Sequence, residues 1–126
     1  MALSLTSVVA RPGAVYAIQT DATIIQDTLK AGSGRVYKVE VDNTGNTVPV
    51  YVKLYDINSG VTHGSTHPNW CFKCPAGVAR AFTCANGNVF GTGLRATCST
   101  EAGTGTTTTG TGADPANDVI YRILLS

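Results

Sequence analysis

The residues best able to do chemistry sit in one stretch, His63-Gly64-Ser65-Thr66-His67-Pro68-Asn69-Trp70-Cys71-Phe72-Lys73-Cys74. Two imidazoles followed by a Cys-x-x-Cys carry the ligand types of a structural zinc site, so His63, His67, Cys71 and Cys74 are the candidate metal ligands. A zinc knuckle needs both sulfurs converging from a tight turn. If 70–74 is a strand, cysteines an odd number of positions apart point to opposite faces. Pro75 and Gly77 also follow the pair instead of separating it. The expectation is therefore no metal and no cofactor, with those four side chains as the alternative.

The same alternation gives the cysteines a plainer use. Phe72 and Cys74 share a face, as do Phe82 and Cys84, and Leu94, Ala96 and Cys98. Free cysteine packs as a small hydrophobe, so Cys74, Cys84 and Cys98 read as core fillers with Cys71 facing away. The N-terminus is mildly apolar but has no basic region and is broken by Ser and Thr, so no secretory signal is expected and the thiols should stay reduced.

Other catalytic patterns find little support. His63 and His67 are the only imidazoles, there is no Gly-x-Ser-x-Gly elbow, and Gly64-Ser65-Thr66 reads as a turn. A glycosidase needs two carboxylates held about 5 to 9 Å apart, whereas Asp21, Asp27, Glu40, Asp42, Asp56, Glu101, Asp114 and Asp118 are scattered singly. Gly91-Thr92-Gly93 precedes no helix and reads as a strand-edge kink or bulge, not a phosphate cradle. The chain is not expected to be an enzyme.

The elements that must carry these residues are strands. Arg35 to Asp42 alternates, with Tyr37, Val39 and Val41 expected on one face and Lys38, Glu40 and Asp42 on the other. Val50, Val52 and Leu54 alternate with Tyr51, Lys53 and Tyr55, and Val119, Tyr121 and Ile123 with Ile120, Arg122 and Leu124. Such strict alternation fits half-buried antiparallel strands. Turn residues fall between the runs, at Pro12-Gly13, Ala31 to Gly34, Asn43 to Asn46, Asn58 to Gly60, Ala76-Gly77 and Asn86 to Asn88. They delimit about eight strands, near 14–19, 22–30, 35–42, 49–56, 70–74, 79–84, 89–98 and 118–125. The fold expected is all-β, a single-domain antiparallel β-sandwich, jelly-roll-like. Residues 1–12 read as an extended N-terminal arm, 13–126 as the sandwich, and 102–117, almost all Gly, Thr and Ala, as a long surface loop.

The chain has 126 residues and a net charge of +1, with nine Lys and Arg against eight Asp and Glu. That gives no basic field for nucleic acid, and no stretch approaches the ~18 to 20 apolar residues of a membrane helix. Neither nucleic acid nor membrane is an expected partner. Tyr51 and Tyr55, with Lys53 between them, lie opposite the apolar face of their strand. Together with Trp70 they are the interface candidates, either as an exposed contact patch or beneath a second layer such as the N-terminal segment.

From Pro49 onward the chain resembles small virion proteins of tailed bacteriophages, cyanophages included. The residues that carry the resemblance are Tyr51-Val52-Lys53-Leu54-Tyr55-Asp56, Gly64-Ser65-Thr66-His67-Pro68, Cys74-Pro75-Ala76-Gly77 and Asn88 to Arg95, then Ala113-Asp114-Pro115 and a closing apolar strand. Where that turn usually has Thr before Pro, this chain has His67. The resemblance implies a β-sandwich capsid decoration, or cement, subunit on the outside of the head lattice. It also implies the major capsid protein as partner, a homo-oligomer (trimer or dimer), and the virion surface as location after synthesis in the host cytoplasm. The alternative is a tail or head-fibre component with a host-adhesive, glycan-binding role at the Gly/Thr loop.

Overall fold

The computed structural model describes residues 3–7, 13–106 and 113–126. Among these residues nine strands form: β1 (Leu3–Ser7), β2 (Val15–Gln19), β3 (Asp27–Ala31), β4 (Gly34–Asp42), β5 (Val50–Tyr55), β6 (Trp70–Cys74), β7 (Ala79–Phe90), β8 (Gly93–Ser99) and β9 (Ile120–Leu125). No helix occurs among the described residues. The strand beyond the expected eight is β1. Within the stretch read as an arm, residues 3–7 pair along β2 in antiparallel register, Leu3 opposite Gln19 and Ser7 opposite Val15. The rest of that stretch and the centre of the Gly/Thr loop, 107–112, lie outside the described residues.

Two antiparallel sheets result, in the orders β1-β2-β9-β4-β7 and β3-β8-β5-β6. Four ladders are nested in sequence: β2 with β9, β3 with β8, β4 with β7 and β5 with β6. The chain is thus one long hairpin with its apex at 56–69, folded over so that β9 meets β4 and β8 meets β5. Each nested pair contributes to one sheet, and consecutive pairs alternate between sheets. The apolar faces meet in a core of Ala17, Val36, Val39, Val41, Tyr121, Ile123 and Leu125 against Leu29, Val50, Val52, Leu54, Leu94, Ala96 and Cys98. Phe72 of β6 and Phe82 of β7 pack with ring centroids 5.1 Å apart and planes tilted by 50°, closing one open side between the sheets.

Two expectations shift for the same reason. The register slips between Val36 and Lys38 against both β7 and β9, so Val36 joins Val39 and Val41 in the core and Tyr37 is only half-buried. A bulge changes the phase of alternation, which a strict two-residue period cannot anticipate. Opposite it, Val36 pairs with Asn88 but Lys38 with Thr83. Residues 84–87 of β7 therefore face Tyr37 alone, three more than the ladder needs, and Asn86-Gly87-Asn88 belongs to a bulge inside a strand instead of a turn between strands. Gly87 has φ of +78°, and a Cβ there would lie 2.8 Å from both Arg35 Cβ and Tyr37 Cε1. Cys74 and Cys98 are buried, Cys84 at the bulge is half-buried, and Cys71 is exposed on the opposite face; all four are free thiols.

Candidate functional site

The outer face of the β3-β8-β5-β6 sheet holds most of the residues singled out above. Lys53 stands between Cys71 of β6 and Thr97 of β8 in the two ladders, with Tyr51 beside Lys73 and Ser99 on one side and Tyr55 beside Arg95 on the other. Two loops, 57–69 and 100–106, cover this face and are latched together. The His63 Nε2 atom lies 3.1 Å from Glu101 Oε1. Gly64 N–H donates to Thr104 O at 2.9 Å, and Thr104 Oγ1 lies 2.8 Å from His67 Nδ1. The second Glu101 oxygen accepts from the Thr106 backbone N–H at 3.0 Å and from its hydroxyl. Gly105 packs directly on the imidazole, since a Cβ there would overlap His63 Nε2.

This layer corrects the interface reading. Lys53 and Tyr55 are 0% exposed and His63 is 2% exposed, so neither Lys53 nor Tyr55 belongs to a contact surface. Of the N-terminal segment, residues 3–7 pair along β2 in the other sheet and so do not supply this layer. Tyr51 is half-buried, and Trp70 is half-buried against the core. The Tyr55 hydroxyl lies 3.1 Å from Thr97 Oγ1, and burial pushes its pKa up.

The four candidate zinc ligands are not brought together. His63 and His67 bond within the loop layer. Cys71 is exposed on the outer face of β6, whereas Cys74 points inward, its Sγ 3.3 Å from Val78 O and 3.7 Å from Val41 O. Among the described residues no group of three or more His, Cys, Asp or Glu is placed to hold a metal. Burial raises the Cys74 thiol, and that of Cys98 to about 12, which leaves both as inert core sulfurs.

Lys53 is the anomaly. Its Nζ has no hydrogen-bond partner among the described residues. Desolvation lowers its pKa from the ordinary 10.5, only partly opposed by Cys71, Glu101 and Cys98. Taking the amine out of water thus penalises its charged form relative to a solvated lysine.

Three further polar clusters were not singled out from the sequence. Asp56, just after β5, accepts from Gly91 N–H and Thr92 N–H at 2.9 Å each and from Gly93 N–H at 3.4 Å. These bonds hold its carboxyl below the usual range. The Gly91-Thr92-Gly93 turn is thus an anion cradle filled by the chain's own carboxylate. Asp27 is buried where β2, β3 and β9 meet, accepting from the Tyr121 hydroxyl at 2.6 Å and from Gln19 Nε2 at 3.0 and 3.1 Å. That ties the two sheets together. At the far end Asn43 Nδ2 donates to the carbonyls of Val48, Cys74 and Pro75. Asn46 links Asn43 to Asn117. The sequence signal for all three was an isolated Asp, Asn or Gln at a strand end, where side chains satisfy backbone groups the ladders leave over.

A surface hollow of 560 Å³ is lined by Asp42, Thr44, Gly45, Ala116, Asn117, Asp118 and Ile120. The Asp42 carboxylate there already accepts from Thr44 N–H and Oγ–H at 3.0 and 2.6 Å. Exposed large apolar side chains are Leu5, Ile25, Val48 and Val89, placed on separate strands and loops. No family model, no curated protein and no solved structure matches this chain.

Proposed function

We propose that the chain is a structural protein of a phage virion, a cement subunit that sits on the outer surface of the head lattice and stabilises it. In this reading its partners are the major capsid protein and further copies of itself. The observation that carries it is how the polar groups are used. His63, Glu101, Asp56, Asp27 and Asn43 are committed to holding loops and sheets in place, which leaves the sheet edges and strand surfaces of balanced charge to face partners. Among the described residues β1 and β7 each pair on one side only. Leu5 is 54% exposed on the first and Val89 59% on the second. Unpaired edges of this kind accept a strand or segment from a neighbour, and many modest contacts repeated over one shell add up by avidity.

The nested strand pairing supports the jelly-roll reading, since two sheets fed alternately by successive hairpin pairs are what two wrapped Greek keys produce. The resemblance from Pro49 onward supports the virion assignment. The test is quantitative mass spectrometry of purified phage particles with a density map of the head. Cement occurs in fixed proportion to the major capsid protein and as protrusions on the lattice. Absence from the particle, or a few copies at the tail, overturns the reading. A fibre or adhesive role is the second reading, favoured by the firm anchoring of the Gly/Thr loop's stem through Glu101 and His67. Low copy number together with glycan binding would establish it instead.

A further inference from the structure

Lys53 and Cys71 are direct partners in the β5–β6 ladder, so their side chains leave the same face of the sheet. Directly opposed residues in such a ladder have Cβ atoms about 4.5–5.5 Å apart, within reach of a lysine stem. The two differ in exposure. Lys53 is fully buried with an amine that makes no hydrogen bond among the described residues, whereas Cys71, on the edge strand, is open to solvent. Thr97, on the other flank of Lys53, directs its hydroxyl to Tyr55. Of the charge interactions acting on the amine the largest is with Cys71, ahead of Glu101 and Cys98, and burial outweighs them all, so the pKa is lowered. A lowered pKa raises the share of amine that carries the lone pair a nucleophile needs. The thiols of Cys74 and Cys98 are buried with raised pKa values and do not compete for an oxidant.

We propose that Lys53 and Cys71 form a redox-closed covalent crosslink, a sulfenamide between Nζ and Sγ that staples edge strand β6 to β5. Hydrogen peroxide first oxidises the Cys71 thiol to a sulfenic acid and is reduced to one water. The Lys53 lone pair then attacks Sγ; the N–S bond forms as the S–O bond breaks, and the departing hydroxide takes the amine proton as a second water. One amine, one thiol and one peroxide give one Lys–NH–S–Cys bridge and two waters, and a thiol reductant reopens it. This modification site does not depend on the virion reading.

The experiment is to treat the reduced full-length chain with hydrogen peroxide, block free thiols under denaturing conditions, and read intact mass and mapped peptides. The expected product is lighter by two hydrogens, contains a peptide pair joined through Lys53 and Cys71, and has lost one of its four thiols. Dithiothreitol should reverse all three changes. Neither Cys71→Ser, at an exposed position, nor Lys53→Met should form the product while retaining the strand signature in circular dichroism. Recovery of Cys71 as sulfinic or sulfonic acid, or in a disulfide between chains, with Lys53 unmodified in either case, overturns the proposal.

Discussion

Replacing Lys53 with Met should make the reduced protein more stable. The side chain is 0% exposed and its amine has no hydrogen-bond partner among the described residues. Leaving a buried polar group unsatisfied costs about 1–3 kcal/mol, while Met keeps most of the stem's volume and adapts to irregular space. Lys53→Met should therefore gain about 1–3 kcal/mol, or about 4 °C in Tm per kcal/mol for a domain of this size. The pH dependence sharpens the test. The folded-state pKa of Lys53 lies below 10.5, so between that value and 10.5 the unfolded chain binds more protons than the folded one. Wild-type stability then rises with pH across that window. The variant lacks this slope, and its advantage should narrow as pH approaches 10.5. Urea titrations of both proteins with reductant present, at neutral pH and at several points up to pH 10.5, measure the difference, with an unchanged slope reporting an unchanged native state. A variant less stable than wild type, or a gap that does not vary with pH, would overturn this picture of Lys53. Lys53 would then be a charged member of a stabilising pair, with Glu101 as its partner.

Asp56→Ala should cost about 1 kcal/mol, because three backbone N–H groups of the β7–β8 turn lose their acceptor in a partly solvated setting that screens the charge. The Asp56 carboxyl is held below its ordinary 3.8, so its stabilisation is present above that value and lost as pH falls through the folded-state pKa; acid titration of Asp56→Asn should show a shallower loss. Gly105→Ala meets both a φ of +79° and the His63 ring, and should loosen the loop latch by about 1–2 kcal/mol. Hydrogen exchange should then quicken at the Gly64 amide and stay unchanged at β4 and β9. Tyr121→Phe removes the hydroxyl donor to buried Asp27 and should cost about 1–3 kcal/mol in a denaturant titration; a neutral effect would mean that Asp27 does not depend on that bond for satisfaction.

Residue order alone was enough for the all-β sandwich, because a two-residue apolar rhythm broken by Gly, Asn and Pro leaves few other ways to bury Val50, Val52, Leu54, Leu94, Tyr121 and Ile123. It also placed Cys71 and Cys74 on opposite faces, since their spacing alone settles that in a strand. What lies over each face was settled only when the chain folded. Periodicity says that Tyr51, Lys53 and Tyr55 share a side, but whether that side meets water depends on loops brought together by bonds such as His63 to Glu101, which join positions 38 residues apart. The bulges at Tyr37 and at 84–87 were equally out of reach. An inserted residue shifts the phase of a strand only relative to its neighbours, and which strands are neighbours is a property of the folded chain.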